Sequence, residues 1–258
     1  MNTLLNHCGA ERVSLDQLNA LTDPEPYTNT HYPIRHDVLV DLAKECLTHG
    51  GYRIKTEEYS LHQAEKKDNM FGLLTLENGC DDVGRVVGLR NSGSMDFIAQ
   101  LGCGGHVFVC DNLAFSAQII VGRKHTRHIM RDLPDQMSTA VRGLGGEFKR
   151  QEGRREIYKD SRISDEVAHD VMIKTMSLRS PQGIPGSKMS AWVKEYREPQ
   201  HEEFVTGTAW GLQNAFTEIA KAWNFDTMQN RTEGFIRVMD EALDFEDKYL
   251  DLMNAEIN

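Results

Sequence analysis

The chain is poor in the features that would announce a function. Its five cysteines, Cys8, Cys46, Cys80, Cys103 and Cys110, are odd in number, widely spaced and free of any C-x-x-C pair. That pattern supports neither a disulfide framework nor a zinc knuckle, and buried free thiols are the expectation. Cys110 adjoins Asp111, a carboxylate that would raise a thiol pKa, so a nucleophilic role is not expected there. The ten histidines show no H-E-x-x-H spacing, and no motif asks for a metal or a cofactor. No apolar run approaches the roughly 20 residues that span a bilayer, and the N-terminus lacks the regions of a signal peptide. A cytoplasmic protein with no membrane partner is therefore expected. Positive charge is also in deficit. With 29 Lys and Arg against 39 Asp and Glu, the net charge of -10 argues against a protein that coats duplex DNA through its overall field.

What is present is a change of pattern along the chain. Residues 1–33 read as a loosely structured arm with a capping box, Ser14 and Gln17, opening a short helix. From His36 to His49 the apolar residues Val38, Leu39, Leu42, Ala43, Cys46 and Leu47 fall on one helical face, and Gly50 and Gly51 end it. Alternation follows. The segments from Tyr52 to Leu61, MFGLLTL, RVVGLRN, MDFIAQLG, HVFVC and AQIIVG read as short strands separated by polar or glycine-rich turns, among them AEKKDN and the LGCGG stretch with Gly102, Gly104 and Gly105. Five or six strands at hairpin spacing predict an antiparallel sheet. After Gly122 helical periodicity takes over, with helices expected at about 126–158, 164–178, 187–197, 205–223 and 230–254. Thr126 and Ser164 are the expected N-caps. The fold class predicted is α+β, organised as an arm (1–33), an α+β core (34–160) and a helical region (161–258).

Two places could carry chemistry. The first is RKHTRH, where Arg123, Lys124, Arg127 and His128, joined by Arg131, gather at the junction of the last strand and the first long helix. From Arg123 to Arg162 the chain holds eleven Lys and Arg against six Asp and Glu, a net of five positive charges in an otherwise negative protein. Such a stretch suits phosphate-backbone contact, and it equally suits a solvated helix face. The second is a polar rim. Arg90, Asn91 and Ser92 end one strand, Asp111 and Asn112 follow another, and His125 stands nearby in sequence. Convergence of these residues would make a small polar site, with Arg90 for an anion and Asp111 for a proton; structural turns with Arg90 paired to Asp111 are the plainer alternative. Trp192, Trp210, Trp223, Tyr196, Phe204 and Phe216 lie on amphipathic segments and suit either core packing or base stacking.

The run VVGLRNS, GGHVFVCDNLAFS, RKHTRH and later TAWGLQNAFTEIAKAW resembles the phage- and plasmid-associated proteins grouped as domain of unknown function 932. The resemblance extends from about His7 to about Trp223 and rests on Arg90, Asn91, Ser92, Val109, Cys110, Asn112, Leu113, His125 and Thr126. Gly93, Ser94 and Met95 replace the His-Asp-Lys-Ser or His-Asp-Gly-Ser continuation typical of that group. The resemblance implies mobile-element biology and no particular reaction. The leading expectation is a non-enzymatic accessory protein that engages nucleic acid, single-stranded nucleic acid included, through the basic junction. A module binding a host defence protein, an enzyme at the polar rim, and a homo-oligomer remain as alternatives.

Overall fold

The alternating stretch folds as strands and the periodic stretch as helices, which makes the protein α+β. The computed structural model describes residues 10–64, 67–77, 83–107, 112–200, 204–220, 223 and 225–257. Six strands lie in one sheet in chain order: β1 (Glu11–Val13), β2 (Ile54–Ala64), β3 (Lys67–Leu76), β4 (Val83–Ser92), β5 (Ala99–Val107) and β6 (Asn112–Arg123). The pairs from β1 through β5 are antiparallel. Buried residues occur on both faces of β3 and β4, where Phe71, Leu73, Leu74, Val86, Val87 and Leu89 are at most 5% exposed. These central strands therefore read as continuous apolar runs instead of half-buried alternation.

Among the described residues the α-helices are α1 (Leu15–Asn19), α2 (His36–His49), α3 (Ile129–Asp160), α4 (Asp165–Met176), α5 (Met189–Arg197), α6 (Ala209–Ala220), α7 (Phe225–Ala242) and α8 (Phe245–Ile257). The capping box forms, with Ser14 Oγ accepting from Gln17 N (3.2 Å) and Gln17 Oε1 accepting from Ser14 N (2.8 Å). Ser164 caps α4 through Val167 N. On α2, which packs on β4, Leu39, Ala43, Cys46 and Leu47 of the predicted face are buried, while Val38 and Leu42 are half-buried and Val40, outside that face, is fully shielded. Each such side chain contributes roughly 1.5–3 kcal/mol of transfer free energy.

Several boundaries differ from the pattern. Gly102 and Gly104 are not a turn: they lie inside β5, opposite Gly88 and Val86. Ala99, Leu101 and Cys103, all fully buried, supply the period-two pattern that overrides the glycines' poor strand propensity. Met95 to Ile98 precede that strand, and most of AEKKDN belongs to the paired ends of β2 and β3, where Ala64 faces Lys67. Thr126 does not cap α3, because the helix begins at Ile129, whose N–H donates to the Thr126 carbonyl (2.8 Å). The single helix expected at 230–254 is two, divided at Asp244, whose φ of 50° is incompatible with a continuous α-helix. β1 was not visible in the pattern, since three residues that pair with distant Tyr59–Leu61 leave no local periodicity.

By contact density the chain divides into two units, Met1–Asp111 with Ala117–Glu147 and Asn112–Ser116 with Phe148–Asn258. The first holds nearly all of the sheet, α1, α2 and the start of α3. In the second, Trp192, Phe216, Trp223 and Phe235 form an aromatic core in which Phe216 stacks on Phe235 at 4.3 Å. Of the aromatic residues with two open readings, Trp192, Tyr196, Phe204, Phe216 and Trp223 are thus core. Among the described residues no helix is long and apolar enough to cross a membrane.

Candidate functional site

The end of β4 separates its polar residues by the strand's alternation. Arg90 lies over aromatic rings, 4.2 Å from the Phe97 centroid and 5.6 Å from that of Phe71. Asn91 is fully buried and points the other way. Its Nδ2 donates to Ile34 O (2.9 Å) and to His36 Nδ1 (2.9 Å). With Nδ1 accepting, the His36 proton sits on Nε2, which donates to Asp68 Oδ1 (3.1 Å). The first residues of α2 are thereby pinned to β3 and β4 by an Asn–His–Asp relay. Ser92 closes the turn that follows: its Oγ accepts from Ser94 N (3.2 Å) and Asp96 N (3.1 Å), while Ser94 Oγ donates to Asn69 Oδ1 (3.2 Å). Glycine is required at position 93, where a Cβ would collide with the Asp68 carboxylate.

His125 joins the same neighbourhood through Ile34, whose N–H donates to His125 Nδ1 (3.4 Å) while its carbonyl accepts from Asn91. Tyr32 N also donates to the His125 carbonyl (2.9 Å). The His31 ring meets the His125 ring edge-on at 5.7 Å, and His31 Nδ1 accepts from Tyr27 N (3.1 Å). Both imidazoles are over nine-tenths buried, and the Nε2 of each has no hydrogen-bond partner among the described residues. Burial, followed by the proximity of His31 and His36, lowers the His125 pKa to about 4; burial lowers that of His31 as well. Both rings are neutral near pH 7.

A cleft of about 760 Å³ opens beside this network, between Leu21–Tyr27 and the start of α2. Its one arginine, Arg35, is fully engaged by Asp37, Asp23 and the carbonyls of Leu21 and Asn19. With Asp23, Glu25, Asp37 and Asp68 around it the cleft is acidic.

The basic junction follows His125. Lys124, Arg127 and Arg131 are exposed, and His128 is half-buried and accepts from Arg127 Nε (3.1 Å). Arg123 and Arg131 share Asp132, the one acid in the first turn of α3. The hydrogen bond from Arg131, with the charges of Arg131 and Arg123, holds the Asp132 carboxyl below its ordinary range. Beyond Glu147 two of the arginines are matched by acids of the C-terminal helices. Arg154 binds Asp240 through Nε and Nη2 (2.9–3.2 Å), and Arg150 pairs with Glu246. Tyr158, fully buried, donates to Asp240 (2.6 Å). The acidic C-terminal helices thus answer Arg150 and Arg154 of the basic stretch.

Of the rim residues, Asn91 and His125 come together through Ile34, whereas Arg90 and Ser92 stand on the opposite side of the strand. Asn112 opens β6 only after β5 has run to Val107, which pairs with Val83 at the end of β4 away from Ser92. Asp111 and Cys110 lie outside the described residues, as do Cys8 and Cys80; Cys46 and Cys103 are buried free thiols. Among the described residues no group of three or more His, Cys, Asp or Glu is placed to hold a metal. Sequence reasoning missed His31, His36 and Asp68. The available signal was their position beside prolines and strand ends, HYPIRH and KKDNM, where a polar side chain has no amphipathic face to occupy. No protein-family model, curated protein or solved structure matches the chain.

Proposed function

We propose that this chain is an accessory protein of the phage- or plasmid-associated kind it resembles, and that it binds the phosphate backbone of nucleic acid at the junction of β6 and α3. One observation carries the reading. Lys124, Arg127 and Arg131 stand exposed at the N-terminal, positive end of a 32-residue helix, with Asp132 as the only acid of its first turn. Cations at that end oppose the helix dipole, and an incoming phosphate would be favoured by the side chains and the dipole alike. The rest of the surface, negative overall, confines binding to this place and keeps it salt-sensitive. Fluorescence anisotropy of a labelled oligonucleotide tests it. Lys124→Ala with Arg127→Ala should weaken binding about tenfold or more at low salt; equal affinity for the double variant and the parent protein refutes the site.

The acidic cleft favours a second reading, a small cationic ligand held against Asp68. Isothermal titration with simple amines, repeated on Asp68→Asn, decides it: heat that is the same in both proteins, or none in either, removes this reading.

A further inference from the structure

We propose that Tyr27 and Tyr32 form a base-stacking platform that makes the basic junction a site for single-stranded nucleic acid. This inference rests on the nucleic-acid reading above and adds the substrate class and the residues that select it. The chain has seven tyrosines, and only Tyr27 and Tyr32 are exposed, at 53% and 46%. Among the described residues no other aromatic side chain is exposed. The two flank one short turn, 28–31, in which His31 N donates to the Thr28 carbonyl (3.1 Å). That segment is bound to the junction itself through Tyr32 N and the His125 carbonyl (2.9 Å), which sets the backbone of Tyr32 beside the residue that follows Lys124.

The Tyr27 ring is also held by its neighbours. The Tyr27 backbone is held by His31 Nδ1, its ring meets the His31 ring edge-on at 6.1 Å, and His31 is buried against His125. A preordered aromatic loses little conformational freedom when a base stacks on it. Tyr27 also lines the acidic cleft with Asp23, Glu25, Asp37 and Asp68; of these acids Asp23 and Asp37 are tied to Arg35 and Asp68 to His36, which limits their repulsion of a phosphate. In a duplex the base faces are covered by their neighbours, so an aromatic platform next to cations discriminates in favour of unpaired strands, whatever their sequence.

The experiment compares a labelled oligothymidylate, an oligouridylate and a blunt duplex on four full-length proteins: the parent, Tyr27→Ala with Tyr32→Ala, Tyr27→Phe with Tyr32→Phe, and Lys124→Ala with Arg127→Ala. The thermal midpoint of each serves as a folding control. Expected is a loss of roughly tenfold or more in single-strand affinity for the alanine pair, retained affinity for the phenylalanine pair, and little change in the weaker duplex binding. Unchanged single-strand affinity in the alanine pair, with loss in the Lys124/Arg127 variant, overturns the platform and leaves the backbone site standing. Equal loss in the alanine and phenylalanine pairs also overturns it, since the rings would then not be the cause. No binding of any probe by the parent protein removes the nucleic-acid reading and the platform together.

Discussion

At the N-terminal end of α3 Lys124, Arg127 and Arg131 are exposed, and only Arg131 has an acid, Asp132, which it shares with Arg123, whereas at its C-terminal end Arg150 and Arg154 meet Glu246 and Asp240, and Phe245 lies beneath both guanidinium groups. In sequence the two ends are alike, basic residues every few positions along one helix. They differ in what the fold supplies opposite them. The C-terminal end is internal structure: Arg154 keeps only 13% of its side chain exposed, and burial followed by the Asp240 charge raises the Tyr158 pKa well above its ordinary value. At the N-terminal end Lys124 and Arg127 have no acid opposite them among the described residues. Basicity alone therefore says little about ligand binding until the acids that answer it are located.

The comparison can be broken most forcefully at Asp240. Asp240→Ala strands a buried guanidinium and the Tyr158 hydroxyl, and should cost about 3–5 kcal/mol in urea unfolding. A loss no larger than that of an exposed pair would mean that the C-terminal end is as open as the other.

Next in size is the effect of acid on the buried histidines. The folded His125 pKa is about 4 and the unfolded value near 6.5, so between those limits the unfolded chain binds more protons. This contribution to stability is complete above about pH 6.5 and is lost as the pH falls toward 4, by up to roughly 3 kcal/mol. His125→Asn keeps an acceptor for Ile34 N and should flatten that slope in urea midpoints measured across the range; a slope identical to the parent's would place the titration elsewhere.

Asp132→Asn should have the smallest effect on stability and the more telling effect on binding. It releases Arg123 and Arg131 from their shared acid, so affinity for an oligonucleotide should rise several-fold while the thermal midpoint hardly moves. A fall in affinity would show Asp132 to be part of the site.

Much of this molecule was legible before its structure. Helix α2 matched its predicted limits, because its apolar face, its glycine stop and the prolines before it all agree. The sheet was legible as a class of structure and less so in its boundaries, since Gly102 and Gly104 look like a turn until β4 is placed beside them. The candidate site was legible only in part. Asn91 and His125 stood out as polar residues at element ends, but the partner of Asn91, His36, lies 55 residues away and binds in turn Asp68, 32 residues further, and no local pattern encodes such pairings. The matching of Arg150 and Arg154 by acids more than 80 residues later was invisible for the same reason.

The most direct test of the open N-terminal end is the salt dependence of oligonucleotide binding. In a plot of log affinity against log salt, the slope for a single strand should fall by about 1.4 between the parent protein and Lys124→Ala with Arg127→Ala, corresponding to two phosphates released. Parallel lines for the two proteins would contradict the account, because the exposed cations at the start of α3 would then not be where phosphate binds.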